Sequence, residues 1–231
     1  MEQFIIKKHF KESKKYCSSI EKFLCKKFIV KNISLLHEST YSPTNRLQRE
    51  NDQYTPFHQA IYKSFDTNDG LEIISSYREL CKEWLFDLIS YYKIEKWAIQ
   101  RFPNIRFQVP NNVSVFEFHM DSTYHHPLGE INHFIGINHC KSSACLHIEK
   151  NLGWEDYEPL ELEAHQSAII NTSIFKHGDF QNNENYTRVS SDFRAIPQDV
   201  LARQKTLPTM DSNKVFSIDD YFIGNEELLS S

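Results

Sequence analysis

The hydrophobic periodicity of the chain changes near residue 100, and this change limits the possible folds more than any other feature. From Arg101 onward, short runs rich in Val, Ile, Phe and Thr alternate with Pro, Gly and Asn residues that favour turns. The runs are VSVFEFHMD (113–121), EINHFIGIN (130–138), ACLHIEK (144–150), SAIINTSIF (167–175) and TRVSSDFRAI (187–196). Several short strands at this spacing are typical of a sandwich or barrel rather than of βαβ units.

The first hundred residues have helical periodicity instead. Apolar residues recur at three- and four-residue steps from Ile73 to Tyr92, with Asp69-Gly70 as a start signal, and a second helix is predicted over residues 3–30. Residues 40–56 are polar, contain Pro and predict a loop. We therefore predict an α+β chain. Its three parts are an N-terminal helical layer (1–100), an antiparallel barrel or jelly roll (101–200) and a C-terminal tail (201–231).

Composition excludes some classes of protein. With 40% hydrophobic and 13% aromatic residues in 231, the chain can bury a core, so disorder is not expected. A net charge of −5 argues against a nucleic-acid partner. Residues 1–32 carry nine Lys and three Glu, which fits the solvated face of an amphipathic helix or, less simply, a contact with a membrane surface or polyanion.

The sequence also bears on the cellular compartment. It contains neither a secretory signal pattern nor the roughly 18 to 20 continuous apolar residues that a membrane-spanning helix needs. Five cysteines, an odd number at spacings that fit no common zinc knuckle, indicate reduced thiols. We expect a soluble, cytoplasmic protein.

Two residues in the first predicted strand have side chains that could bind a metal. Because residues two apart on a strand project to the same face, His119 and Asp121 should point together. This spacing alone is common by chance, and a buried histidine oriented by an aspartate would also produce it. His177, which follows a later strand-like run, would complete a set of two histidines and one carboxylate. Such a set is expected for non-haem Fe(II) oxygenases.

A second pair of residues could bind a carboxylate. After a polar turn, Arg188 and Ser190 are also two residues apart, so they should share one face of the last predicted strand near His177. The planar guanidinium matches the two oxygens of a carboxylate. Arg194 lies on the same face by this period. It could bind an acidic substrate or pair with Asp192.

This ordered pattern, with His119-x-Asp121, His177 and Arg188-x-Ser190, resembles that of the Fe(II)/2-oxoglutarate-dependent oxygenase superfamily over residues 100–197. The branch that it resembles contains streptomycin-biosynthesis hydroxylase-like proteins and phytanoyl-CoA-hydroxylase-type enzymes. The resemblance implies a double-stranded β-helix whose first three residues hold Fe(II), while Arg188 and Ser190 bind the distal carboxylate of 2-oxoglutarate.

The resemblance also implies an activity. The enzyme would use 2-oxoglutarate and O₂ to hydroxylate an unactivated C–H bond of a small polar molecule, such as a natural-product, sugar-like or amino-acid intermediate, and would release succinate and CO₂. Related halogenases lack the carboxylate ligand, so Asp121 argues against halogenation. Asn132 could hydrogen-bond the 1-carboxylate of 2-oxoglutarate or have only a structural role in its strand.

Other interpretations remain open at this stage. His147-x-Glu149 has the same spacing as His119-x-Asp121 but no distal histidine followed by an Arg-x-Ser element. His125 and His126 precede a proline and are expected to be exposed loop residues. The alternatives for the whole chain are a cupin-like metal-dependent isomerase or epimerase, and a barrel that only binds a partner.

Overall fold

The computed structural model describes residues 5–43, 54–112, 117–205, 207–208 and 214–230. The helices are α1 (Ser13–Phe28), α2 (Pro56–Ser64), α3 (Asn68–Tyr92), α4 (Gln198–Ala202) and α5 (Asn225–Ser230), with 3₁₀ helices at Ile33–Glu38, Asp121–Tyr124 and Ser142–Ala144. The strands are β1 (Ile6–Lys8), β2 (Trp97–Gln100), β3 (Asn104–Gln108), β4 (Ile131–Gly136), β5 (Leu146–Glu149), β6 (Tyr157–Leu160), β7 (Ser167–Ile170), β8 (His177–Gly178), β9 (Arg188–Pro197) and β10 (Phe222–Gly224).

These strands form two antiparallel sheets. The larger sheet has the order β1-β7-β4-β9-β2-β10, and β3 also pairs with β9. The smaller sheet has the order β6-β5-β8. An isolated antiparallel bridge between His119 and His177 continues the pairing beyond β8. The predicted combination of helices and antiparallel sheets is therefore confirmed.

The two faces of β9 show how the layers are stacked. On one face, Ser191 hydrogen-bonds the Tyr16 hydroxyl of α1 at 2.8 Å, and the Phe193 ring lies 5.3 Å from that of Trp84 in α3. On the opposite face, a strand projects its alternate residues, which here include Arg188 and Arg194. One face of the larger sheet thus packs on the helices, and the other carries charged side chains.

An apolar cluster closes the space between the two sheets. Phe134 and Ile170 of the larger sheet pack with Leu146 and Ile148 of the smaller sheet, and all four side chains are buried. Each such side chain stabilises the fold by about 1.5–3 kcal/mol relative to an exposed one. The charged residues of β9 are therefore enclosed between two sheets that are held together by hydrophobic contacts.

The helical layer follows the predicted periodicity. Helix α3 begins at Asn68 and ends at Tyr92, close to the predicted limits. Its apolar stripe, which includes Leu80, Trp84 and Leu88, is buried against the larger sheet and α1. The Lys side chains of α1 lie on its solvated face, where Lys22 contacts Glu72 at 3.0 Å.

Strands β4, β5, β7 and β9 confirm four of the five predicted strand-like runs. The prediction for residues 113–121 is wrong where it can be compared, and residues 113–116 lie outside the described part. Asp121 begins a 3₁₀ helix rather than continuing a strand. Its backbone N–H donates to the Thr172 carbonyl at 2.8 Å, and the Thr123 hydroxyl caps the Met120 carbonyl at 2.6 Å. Both hydrogen bonds occupy backbone groups that a strand ladder would use, and the one from Thr123 is local.

The predicted helix over residues 3–30 is correct only for its later part. Ile6–Lys8 forms edge strand β1, which pairs with β7, and α1 starts at Ser13. The edge of β7 offers backbone partners to this segment, and lysines suit an edge strand because they discourage further pairing. Of the predicted loop, residues 44–53 lie outside the described part, and α2 begins at Pro56 after the Thr55 cap.

The larger sheet takes strands from all three predicted parts of the chain. Strands β1 and β2 come from before residue 101, and β10 comes from after residue 200. Among the described residues, no helix has the length and apolar character required to cross a membrane. All five cysteines are free thiols, as expected.

Candidate metal centre

The three predicted metal ligands meet at one point between the sheets. The potential ligand atoms of His119, Asp121 and His177 all lie within 4.8 Å of one another. Nε2 of His119 lies 3.7 Å from Oδ1 of Asp121, and Nε2 of His177 lies 3.4 Å from the same oxygen. Metal–ligand bonds of about 2.0–2.2 Å separate two ligands of one ion by roughly 3–4 Å. The spacing therefore fits a single transition-metal ion.

Backbone pairing fixes the positions of the two histidines. His119 and His177 exchange N–H···O=C hydrogen bonds of 3.0 and 2.9 Å, which aligns their side chains across the bridge. Nδ1 of His119 lies 2.8 Å from the Glu117 carbonyl oxygen, and Nδ1 of His177 lies 3.4 Å from that of Phe175. A ring that donates its Nδ1–H to a carbonyl keeps the Nε2 lone pair free for a metal.

The Asp121 carboxylate is held by one oxygen and offers the other. Oδ2 accepts hydrogen bonds from the Thr172 hydroxyl at 2.7 Å and from Nε of Arg194 at 3.0 Å. Burial would raise the pKa of the Asp121 carboxyl, but the Arg194 guanidinium and the nearby histidines hold this pKa well below its usual range. Asp121 is therefore an anion, and its Oδ1 faces the two histidines.

Both histidines are neutral near pH 7, which is the state that binds a metal. Burial, together with the neighbouring His177, lowers the pKa of His119 to about 4. Burial also lowers the pKa of His177, although Asp121 opposes this effect. The site thus presents two neutral imidazoles and one carboxylate.

The predicted carboxylate receptor has an unexpected partner. Arg188 lies on β9 facing the space between the sheets, but its Nη1 and Nη2 donate to Oδ1 and Oδ2 of Asp179 at 2.9 and 2.8 Å. The side chains are 1% and 3% exposed. Nε of Arg188, the Ser190 hydroxyl and Oε1 of Gln108 are buried without a hydrogen-bond partner among the described residues.

Asp179 and Thr172 were not among the residues predicted from the sequence. A signal for Asp179 was present, because His177-Gly178-Asp179 repeats the spacing of His119-x-Asp121. Thr172 had no such signal, since its contact with Asp121 spans 51 residues and depends on how the loop after β7 is placed.

Asn132 lies close to the three-residue cluster. Its Nδ2 donates to the Thr172 hydroxyl oxygen at 3.2 Å, so it is linked to Asp121 through Thr172. Oδ1 of Asn132 is buried without a partner among the described residues. The residue therefore combines a structural contact with an unused polar atom.

Arg194 pairs with carboxylates of its own chain. Nη1 donates to Asp192 at 2.8 Å, which is the predicted Asp192–Arg194 pair, and Nε donates to Asp121. Asp192 also accepts from Nε of Arg106 at 2.8 Å. Removing one member of such a buried pair costs about 3–5 kcal/mol, because it leaves an uncompensated charge. This network fixes the orientation of Asp121.

The other candidate histidines differ in their surroundings. His125 is exposed, as expected, but His126 is half-buried, with its ring 4.4 Å from Phe216 and its Nδ1 2.8 Å from Glu130. The prediction that His126 is exposed is wrong because these contacts cover it. Asp121, His126 and Glu130 form a second group of potential ligands within 4.8 Å.

The pair His147-x-Glu149, which has the same spacing as His119-x-Asp121, does not form a comparable cluster. His147 and Glu149 belong to no group of three potential metal ligands in the described part of the chain. Glu149 accepts backbone N–H groups of Glu155 and Lys176 at 3.0 and 3.2 Å, so it connects two chain segments.

Known proteins resemble this chain in sequence and in fold. No family model matches the sequence. The streptomycin biosynthesis protein StrG from Streptomyces griseus is 30% identical over 151 residues, which is 65% of this chain and 67% of StrG.

Solved structures provide a comparison of the fold. CytC3, solved with Fe(II) and alpha-ketoglutarate, is similar with a TM-score of 0.51 and 12% identity over 85% of this chain and 74% of CytC3. The carbocyclase SnoK from nogalamycin biosynthesis matches 54% of this chain and 59% of its own length, with 10% identity and a TM-score of 0.45. From the relationship to StrG, the CytC3-like fold and the cluster of potential metal ligands, the chain belongs to the Fe(II)/2-oxoglutarate-dependent oxygenase superfamily, an enzyme superfamily whose cofactor is Fe(II) and whose cosubstrate is 2-oxoglutarate.

Proposed function

We propose that this chain is an Fe(II)- and 2-oxoglutarate-dependent dioxygenase that hydroxylates an unactivated C–H bond of a small polar molecule. Succinate and CO₂ would be the products of the cosubstrate. The observation that carries this proposal is the convergence of His119, Asp121 and His177 within 4.8 Å, with each histidine held through its Nδ1. Asp121 supplies the carboxylate ligand that distinguishes hydroxylases from halogenases.

In this proposal, Nε2 of His119, Nε2 of His177 and Oδ1 of Asp121 hold Fe(II). A metal bound by these three groups keeps open positions, at which it can bind 2-oxoglutarate and activate O₂. The chain's own contribution is to orient the ligands and to separate the site from bulk water. Thr172 and Arg194 orient Asp121 by hydrogen-bonding its Oδ2. The two sheets, which we propose are the halves of a double-stranded β-helix, separate the site from bulk water.

Arg188 and Ser190 are our candidates for binding the distal carboxylate of 2-oxoglutarate. Both lie on the charged face of β9, and both have a buried donor without a partner among the described residues. Two such donors on one face suit a carboxylate. Asn132 is our candidate neighbour of the 1-carboxylate. Its Nδ2 carries a second N–H beside the one that it donates to Thr172, and this second N–H is the proposed donor.

The substrate class is inferred from a relative. StrG, which is 30% identical, is described as a streptomycin biosynthesis protein. We propose a natural-product, sugar-like or amino-acid intermediate as the substrate and a cytoplasmic location for the reaction. The partners are this molecule, 2-oxoglutarate and O₂, without a nucleic acid.

The test is succinate formation from 2-oxoglutarate in the presence of Fe(II) and O₂, with and without candidate substrates. The wild-type protein should produce succinate, and Asp121→Ala should not. His147→Ala is the matched control, because His147 belongs to no ligand cluster in the described part, and it should retain the activity. A cupin-like isomerase or a pure binding module would consume no 2-oxoglutarate, so the absence of succinate with the wild type would contradict the proposal.

A further inference from the structure

The guanidinium that is our candidate receptor for 2-oxoglutarate already binds a carboxylate of its own chain. Asp179 occupies both terminal nitrogens of Arg188 in the end-on arrangement, with distances of 2.9 and 2.8 Å. This two-point geometry is the one in which an arginine recognises a carboxylate most strongly. Asp179 comes two residues after His177, so the proposed metal ligand and this acid lie on the same short segment.

The Arg188–Asp179 pair is buried, and its burial determines how strongly Asp179 opposes the binding of a second anion to Arg188. The exposed fractions of the two side chains are 1% for Arg188 and 3% for Asp179, so water screens their charges poorly. Of its five N–H groups, Arg188 retains the one on Nε and one on each terminal nitrogen for another acceptor, beside the unpartnered Ser190 hydroxyl. A cosubstrate carboxylate that binds there must share the guanidinium with Asp179 or displace it. Two carboxylates close together repel each other.

We propose that Asp179 competes with the distal carboxylate of 2-oxoglutarate for the Arg188 guanidinium. It thereby keeps the affinity for 2-oxoglutarate low and reduces the preference of the site for 2-oxoacids that carry a second carboxylate. This inference rests on the proposed function, because it concerns the cosubstrate of that site. Asp179 acts on the cosubstrate through Arg188 and is therefore an affinity-setting residue rather than a catalytic one.

The charge around Arg188 differs between the free and the bound protein. In the free protein, Asp179 neutralises the buried Arg188. In Asp179→Asn the guanidinium has no compensating charge until 2-oxoglutarate supplies one, and an uncompensated buried charge is strongly unfavourable. The variant should therefore be less stable without cosubstrate and should bind 2-oxoglutarate at least about tenfold more tightly than the wild type.

The experiment is an anaerobic titration of the Fe(II)-loaded wild type and Asp179→Asn with 2-oxoglutarate. Binding is monitored by calorimetry and by the visible absorption of the complex between Fe(II) and 2-oxoglutarate. Glu227→Gln is the matched control, because Glu227 also binds both terminal nitrogens of an arginine, Arg101, at 2.6 and 3.1 Å. The control should leave the affinity unchanged. An unchanged or weaker affinity in Asp179→Asn overturns the inference.

A second measurement uses only the wild type and so does not depend on whether the variant folds. It compares 2-oxoglutarate with 2-oxopentanoate, which has a methyl group in place of the distal carboxylate. With Asp179 in competition, the two affinities should differ by less than about tenfold, whereas a freely available guanidinium would favour 2-oxoglutarate by roughly 100-fold or more. The larger ratio overturns the inference. Failure of the wild type to bind either 2-oxoacid would instead contradict the proposed function.

Discussion

The Thr172 hydroxyl donates a hydrogen bond of 2.7 Å to Oδ2 of Asp121, so that Oδ1 is the oxygen that faces the two histidines. Arg194 donates to the same Oδ2 from β9. One carboxylate oxygen is thus held by the protein, while the other is available to an ion. Partners that orient a metal ligand in this way also contribute to metal affinity.

Replacing Thr172 by Val should therefore weaken Fe(II) binding. The substitution removes one hydroxyl donor from Asp121 with little change in side-chain shape, and the loss of such a contact typically lowers metal affinity about 10–100-fold. Thr55→Val is the control, because the Thr55 hydroxyl contacts His58 at 2.7 Å in the helical layer. It should reduce stability but leave Fe(II) affinity unchanged, as measured by anaerobic titration. Equal Fe(II) affinities of Thr172→Val and wild type would contradict the orienting role.

Ser190→Ala should reduce the affinity for 2-oxoglutarate. The variant removes one of the two unpartnered donors on the inner face of β9, and a single hydrogen bond to a charged group contributes about 1.5–3 kcal/mol. Ser191 is a suitable control, because it is the next residue on the strand and points to the helical layer, where it contacts Tyr16. Ser191→Ala should destabilise the fold without changing cosubstrate affinity. If both variants bind 2-oxoglutarate like the wild type, Ser190 is not part of the receptor.

His133 should make the stability of the protein depend on pH. Burial lowers the pKa of His133 to about 3, whereas an unfolded histidine has a pKa near 6.5. The unfolded state therefore binds more protons below pH 6.5, so stability is complete above that pH and decreases as the pH falls toward 3. This residue alone should cost about 2 kcal/mol between pH 7 and pH 5.

Urea unfolding of wild type and His133→Phe at these two pH values measures the effect. The ring of His133 packs against Phe10, Trp84 and Phe193, so an aromatic replacement fills the same space. It removes the contact of Nε2 with the Ser167 hydroxyl at 2.7 Å, and this loss applies at both pH values. The variant should lose less stability on acidification than the wild type. The same loss in both proteins would show that His133 does not cause the pH dependence.

The sequence predicted the elements that have strong periodicity. Helix α3 and strands β4, β5, β7 and β9 follow from side-chain patterns that repeat within a single element. The convergence of His119 with His177 was also predictable, although the assumed strand was wrong. Asp121 reaches the same point from a 3₁₀ helix, since a hydrogen bond from its backbone to Thr172 redirects the chain.

The remaining features depend on contacts between distant segments, which leave no local pattern. The edge strand β1 exists because β7 offers a free edge far along the chain. The pairing of Asp179 with Arg188 requires the polar turn between them to fold back, and alternation along β9 predicts only the face on which Arg188 lies. The half-buried position of His126 likewise depends on Phe216 from the C-terminal segment.

The most direct test of the central claim is the anaerobic binding of Fe(II) and 2-oxoglutarate to the purified chain. We expect one Fe(II) per chain, a visible charge-transfer absorption when 2-oxoglutarate is added, and the loss of both in His119→Ala, Asp121→Ala and His177→Ala. His147→Ala should behave like the wild type. If the wild type binds no Fe(II), or if the three ligand variants bind it as well as the wild type does, these residues do not form the metal centre.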